Sequence, residues 1–344
     1  MKNFYKIITV SIISFMFIIN INAQYVENIS KRGTSVAPFL KVSQGARATG
    51  MGGAFVGIAD DASSIFWNVA GIAKTGKNSF IFDHTEWIAG LKYNYLAGSL
   101  DLGNYGALGL SLVASNYGEM KVTTIAEPEG TGEVFSVKDY AFSLAWAINL
   151  TKDFAIGFNP KIVYESIWQT SGYALGIDMG ILYNTPFKGF TLGMSITNFS
   201  SKMRLQGTSD IVLYDPDPTT TGNNGRIPAE LYTDPWSLPL VFTMGLSYKA
   251  IDNDMHKLTI DIDAHHPSDN YESVSVGGEY IFKDVLSLRA GYKSLFLKDA
   301  EETFAIGAGL KQQILGNIAF HIDYAYQEFG RLTNIQKLSI GVDF

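Results

Sequence analysis

The 344-residue chain contains no cysteine, which excludes a disulfide scaffold, a zinc ribbon, an iron–sulfur site and thiol catalysis. Positive charge is short as well. Lys+Arg 26 against Asp+Glu 33 leaves a formal net charge of −7, whereas a nucleic-acid partner demands concentrated positive charge. Charged residues are only 17% of the total, low for a soluble domain. Beyond the first two dozen residues no apolar run approaches the ~18 residues that a membrane helix needs. No Gly-x-Ser-x-Gly elbow is present and no Ser–His–Asp arrangement can be assembled, so the chain reads as non-catalytic. What is plentiful is glycine and aromatics, with 34 Gly, 18 Tyr and 22 Phe. Mean hydropathy nevertheless stays at +0.09. Apolar residues must therefore be diluted, one for one, by small and polar ones.

The first segment reads as an address. Lys2 and Lys6 precede an apolar run from Ile7 to Ile21, and Asn22-Ala23 leads into Gln24. This predicts a secretory signal peptide over residues 1–23 and an exported mature chain.

From residue 79 to the end one pattern repeats. Tyr140, Phe142, Leu144, Trp146 and Ile148 alternate with Ala141, Ser143, Ala145 and Ala147. Leu258, Ile260, Ile262 and Ala264 alternate with Thr259, Asp261, Asp263 and His265. Period two marks strands with one apolar face and one small or polar face. About fourteen such segments occur, each near the length a tilted strand needs to cross a bilayer. They fall at 79–87, 91–101, 105–117, 137–149, 153–166, 172–184, 190–199, 238–249, 256–266, 271–282, 285–296, 302–312, 317–328 and 334–344.

Connections after even-ranked segments are short, while those after odd-ranked segments include two long ones, 118–136 and 200–237. Membrane barrels have short periplasmic turns, long external loops and an even strand number. The parity therefore predicts an all-β fold, a transmembrane antiparallel barrel inserted in the outer membrane and in contact with lipid. Tyr93, Tyr117, Trp168, Tyr183, Tyr248, Tyr324 and Tyr326 stand near segment ends, where interfacial aromatic girdles belong. Leu338, Ile340, Val342 and Phe344 share one face of the last segment and end on an aromatic, which resembles a barrel-insertion signal.

Residues 24–78 escape the alternation and are expected to form an N-terminal hatch inside the lumen of the 79–344 barrel. Gly45, Gly50, Gly52 and Gly53 make the first half too glycine-rich for a regular element, and Asp60 and Asp61 read as a helix cap. Small lumenal residues such as Gly157, Gly193, Gly277 and Gly291 leave room for a hatch. Lumenal charges of both signs (Lys161, Glu165, Asp178, Asp261, Glu279, Arg289, Asp323) are positioned to hold it, with Arg47 expected to pair with one of the carboxylates.

The run Gly45-Ala-Arg-Ala-Thr-Gly-Met-Gly-Gly53, continuing through Asp60, Asp61 and Asn68 to Gly71, resembles the N-terminal signature of the PorV/PorQ family, within the wider FadL-like group. Val69 stands where that family usually has proline. The resemblance implies a fourteen-stranded barrel with a hatch. For the PorV branch it implies a part in type IX protein secretion, with secreted cargo or secretion-system components as partners. For the FadL branch it implies uptake of hydrophobic compounds.

Several sharper motifs carry a blander reading. Gly71 to Asn78 approximates a phosphate-binding loop, but Asn78 replaces the Ser/Thr that would hold magnesium and a strand follows. Asp261, Asp263 and His265 on one face, and His321 with Asp323 on another, are metal-ligand types. Spacing of i, i+2 spreads them about 7 Å apart, so a lumenal polar network is the expectation, with no cofactor and no metal. Asp215 and Asp217, with Asn223 and Asn224, sit in the long external loop and raise a calcium site as a lesser alternative. Asp215, Asp217 and Trp236 are the candidate external binding residues. The small, polar lumenal phase, apart from Val113, Val163 and Leu182, favours a surface cargo carrier over an uptake channel.

Overall fold

A computed structural model describes residues 31–222, 224–297 and 299–344. The leader expected at 1–23 and the first residues of the hatch lie outside these.

Among the described residues, fourteen long antiparallel strands close into a barrel. We number them β1 Ser79–Glu86, β2 Lys92–Asp101, β3 Ala107–Asn116, β4 Val134–Asn149, β5 Phe154–Ile167, β6 Thr170–Asn184 and β7 Phe190–Ser200. The second half is β8 Val241–Asp252, β9 His256–Pro267, β10 Ser273–Phe282, β11 Leu286–Leu295, β12 Phe304–Leu315, β13 Ile318–Glu328 and β14 Asn334–Asp343. Each strand pairs with its sequence neighbours, and β1 pairs with β14 to complete the ring. Every segment read from alternation is present, with ends shifted by at most three residues. Phe344 reinforces the closure: its N–H donates to the Asn78 carbonyl at 2.9 Å and its carbonyl accepts from Asn78 N at 3.0 Å.

The side-chain phase follows the sequence. Leu144 is 51% exposed on the outside, and neighbouring Ser143 is 4% exposed inside. Phe80, Phe82, Leu96, Leu110, Phe142, Ile162, Leu175, Ile262 and Ile322 extend the same outward apolar face around the ring. A soluble protein does not leave a continuous apolar surface of this kind uncovered, so the outward face is a lipid-facing one. Two of the girdle assignments are corrected. Tyr93 lies on the inward phase and is buried, because β2 turns Tyr93, Tyr95 and Ala97 into the lumen. Tyr117 follows it inward, its hydroxyl 3.3 Å from that of Tyr93 and bonded to Asp139.

All connections after even-numbered strands are short turns. The long end of the barrel carries two elaborated loops. In the first, Glu119–Lys121 pairs with the start of β4. In the second, Ile211–Tyr214 pairs with Ile227–Glu230 in a separate two-stranded hairpin.

The 31–78 segment runs the height of the lumen. At the long-loop end Val36 N donates to Ser237 O at 3.1 Å, Arg32 to Asn270 at 3.0 Å, and Lys41 pairs with Asp269 at 2.8 Å. At the short-turn end Asn149 Nδ2 donates to Ala73 O at 2.6 Å, and Lys77 pairs with Asp343 at 2.6 Å. Between these ends lie only short helical turns, Pro38–Lys41, Ala46–Gly50, Ser64–Trp67 and Val69–Lys74.

Two expectations follow. Leu144→Arg places a charge in mid-membrane and should destabilise insertion by roughly 2–4 kcal/mol, while Ser143→Arg escapes that lipid term; equal assembly of both would contradict the phase. With no native cysteine, Thr220→Cys should label on intact cells and Lys152→Cys should not.

Candidate functional site

Hatch backbone occupies much of the lumen, and the wall is shaped for it. A Cβ on Gly157 of β5 would lie 2.8 Å from the carbonyl carbon of Val69, and one on Gly245 of β8 would lie 2.7 Å from Gly57 N. Gly277 and Gly291 face the backbone of Met51 just as closely. Gly52, at φ +66, passes so near β11 that a Cβ would come 2.7 Å from Tyr292 N. That residue needs glycine for both its conformation and its contact.

Buried backbone N–H groups in irregular chain require partners, and the wall supplies carboxylates. Asp263 accepts from Phe55 N at 2.8 Å and from Val56 N at 2.9 Å, and Asp261 accepts from Gly57 N at 3.2 Å. Asp83 accepts from Gly45 N at 3.0 Å, and Ser339, which donates to Asp83 at 2.6 Å, accepts from Ala46 N at 2.7 Å. The metal-type cluster at Asp261 and Asp263 is thus occupied by hatch backbone. His265 bonds instead to Thr243 and Ser275. Among the described residues no group of three or more acidic or histidine side chains is arranged to hold a metal ion.

One ionic chain ties hatch to wall. Arg47 meets Glu279 in a two-pronged contact, Nε to Oε1 at 2.9 Å and Nη2 to Oε2 at 2.7 Å. Its Nη1 reaches Asp60 at 2.5 Å and Asp61 at 2.9 Å. Arg289 donates to Glu279 at 2.7 Å and to Asp323 at 2.6 Å, and His321 lies 3.1 Å from Asp323. Within the hatch Asp61 also accepts from Ser63 N at 2.8 Å. Asn68 holds two carbonyls, Val56 O at 3.0 Å and Ile181 O at 2.9 Å. Gly50 packs on Gly307, and a side chain on Gly71 would collide with Ala59. Gly53 lies under the Trp67 ring.

A second polar knot sits where β6 and β7 lose register between Ile177 and Met179. Lys161 pairs with Asp178 at 2.7 Å, and Asp178 accepts from Asn198 N at 2.7 Å and from Asn159 at 2.9 Å. Glu165 faces inward directly opposite Asp139 of β4. The external candidates lie apart from all of this. Asp215 accepts from Asp217 N at 3.0 Å, Asp217 accepts from Thr219 N at 3.1 Å, and Asn224 accepts from Arg226 N at 3.2 Å. Asn223 lies outside the described residues. Trp236 is half exposed and bridges Met203 through backbone bonds. Sequence reasoning passed over Asp83, Lys293 and Lys337, all on the inward phase of their strands. Lys337 is buried and donates to Ser43 O, while Lys293 donates to Ser43 Oγ at 3.1 Å.

Between the hatch and strands β7–β11, in the long-loop half of the lumen, lies a cavity of about 420 Å3. Leu40, Val56, Phe66 and Trp67 of the hatch form its apolar side; Thr243, His265 and Lys293 stand on the wall. Glu301, in the loop above, is bonded to Arg331, which holds its carboxyl below the ordinary range.

No protein-family model matches the sequence, and no curated relative does. Solved structures do resemble the fold. The toluene transporter TbuX of Ralstonia pickettii superposes with a TM-score of 0.55 at 13% identity, over 88% of this chain and 97% of that one. The toluene transporter TodX of Pseudomonas putida gives 0.53 at 14% identity, over 88% and 97%. A Pseudomonas aeruginosa FadL homologue gives 0.51 at 13% identity, over 88% and 98%. The chain therefore has the fold of FadL-type barrels.

Glu279→Gln should leave Arg47 and Arg289 short of a buried counter-charge and cost about 3–5 kcal/mol, read as a lower temperature of barrel unfolding on gels. Adding Arg47→Met should recover part of the loss, as a double-mutant cycle measures. Additive losses would show that the two side chains do not act together.

Proposed function

We propose that the protein is an outer-membrane channel for small, largely apolar molecules, exported through its N-terminal leader and gated by the hatch. The observation that carries this reading is the cavity between hatch and wall in the long-loop half of a closed barrel. Its volume lies within the range of about 300–1,000 Å3 typical of small-molecule sites. The likeness in fold to the toluene transporters TbuX and TodX supports it. The preference for a cargo carrier drawn from the sequence is reversed on two grounds. The small lumenal residues whose polar phase weighed against an apolar pocket are covered by hatch backbone, and the remaining space has an apolar floor.

A second reading keeps one observation of its own. The hairpin at the long-loop end exposes Ile211, Leu213, Tyr214, Leu231 and Tyr232, a concentration of apolar side chains outside the lipid belt. Such a patch marks interaction surfaces. With the resemblance of the hatch motif to PorV/PorQ proteins, it sustains a role in type IX secretion, receiving exported cargo.

One pair of measurements separates the two. Cells carrying the chain should accumulate labelled toluene several-fold faster than cells lacking it, and replacing 210–234 by a short Gly-Ser link should leave that rate unchanged. A carrier would show no uptake difference and would lose surface delivery of secreted protein in the loop variant. Asp261→Asn with Asp263→Asn, which weakens the grip on the hatch backbone, should raise uptake if the hatch is the gate.

A further inference from the structure

The lumenal cavity carries more polarity than a site for a bare hydrocarbon needs. Its floor is apolar, but Ser195 and Thr197 of β7 and Ser273 of β10 stand on its wall, and among the described residues none of these three hydroxyls has a hydrogen-bond partner in the protein. Strand pairing sets Thr243 directly opposite Ser195, and His265 opposite both Thr243 and Ser273. His265 is fixed through both ring nitrogens, to Thr243 and to Ser275, at 3.2 Å each. The outcome is a row of polar groups at one height across four adjacent strands. Each hydroxyl offers a donor and two acceptor lone pairs. A hydrocarbon entering this space would strip the row of water and give nothing in return.

The three lysines that line the cavity are each paired with a carboxylate. Lys41 is paired with Asp269 at 2.8 Å, Lys161 with Asp178 at 2.7 Å, and Lys293 with Glu302. A carboxylate drawn to one of these lysines would have to break its pair and strand the former partner, which is costly in a buried setting.

We infer that the cavity selects small amphipaths, with an apolar body seated against Phe66 and Trp67 and a neutral hydroxyl directed at the Ser195, Thr197 and Ser273 row. Bare hydrocarbons and carboxylates of the same skeleton are disfavoured. This deepens the channel reading and rests on it.

Toluene, p-cresol and p-toluate share one skeleton and differ only in the polar group. Their binding to the purified full-length chain is measured by equilibrium dialysis, and their uptake by cells carrying the chain is measured alongside. p-Cresol should bind about tenfold more tightly than either of the others, one neutral hydrogen-bonding group's worth of affinity. Thr197→Val with Ser273→Ala should abolish that preference and tighten toluene binding, because the hydroxyls that toluene would desolvate are gone, in a protein that keeps its heat-modifiable mobility on gels. Toluene or p-toluate binding as tightly as p-cresol would overturn the inference, as would a preference that survives the double variant. Uptake of toluene and p-cresol at equal rates would sink the selectivity while leaving the channel standing. Uptake of none of the three above cells lacking the chain would remove the channel reading and the inference with it.

Discussion

A barrel lumen stuffed with irregular backbone has one governing constraint: every peptide N–H brought inside must find an acceptor, because water cannot be assumed to follow it. Much of the wall answers that demand. Asp83, Asp261 and Asp263 each accept from hatch backbone, while the glycines of β5, β8, β10 and β11 admit that backbone to hydrogen-bonding range. Carboxylates and glycines are two halves of one arrangement. Without the glycines the carboxylates would not reach, and without the carboxylates the close approach would bury bare donors.

The ionic chain adds a second layer with a different physical character. Arg47 joins Asp60 and Asp61 within the hatch to Glu279 on the wall, and Arg289 carries the chain on to Asp323. Buried ion pairs of this kind add modest net stability but penalise any alternative placement heavily. They fix where the hatch sits, whereas the backbone contacts determine that it sits at all. The cavity is the space this placement leaves over on the β7–β11 side.

The barrel was legible because period-two alternation reports directly on which side of a sheet a residue faces, and lipid on one face and small residues on the other make the contrast sharp. The Leu144 and Ser143 phase, the loop parity and the closing Phe344 all follow from that rule. Tyr93 and Tyr117 escaped it because aromatic identity was read ahead of phase. The path of the hatch was not legible, since short helical turns separated by glycines have no period to read. Asp83 on β1 stands on the same inward phase as Ile81 and Thr85, so its role was accessible to the pattern. The pairing of Arg47 with Glu279 in particular was not, because it depends on how far the hatch descends.

The tethering of the hatch at both ends constrains how the molecule is made. Residues 32–41 are bonded to the loops at one rim and residues 73–78 to the turns at the other, and the second of these tethers continues directly into β1. A ring that sealed β1 to β14 first would then have to draw this whole segment through its bore against glycine-tight walls. Assembly is far easier if the sheet curls around a segment already lying along it. The last seam to close, between the first and final strands, is therefore also the step that traps the hatch, and the order of events during insertion is written into the connectivity.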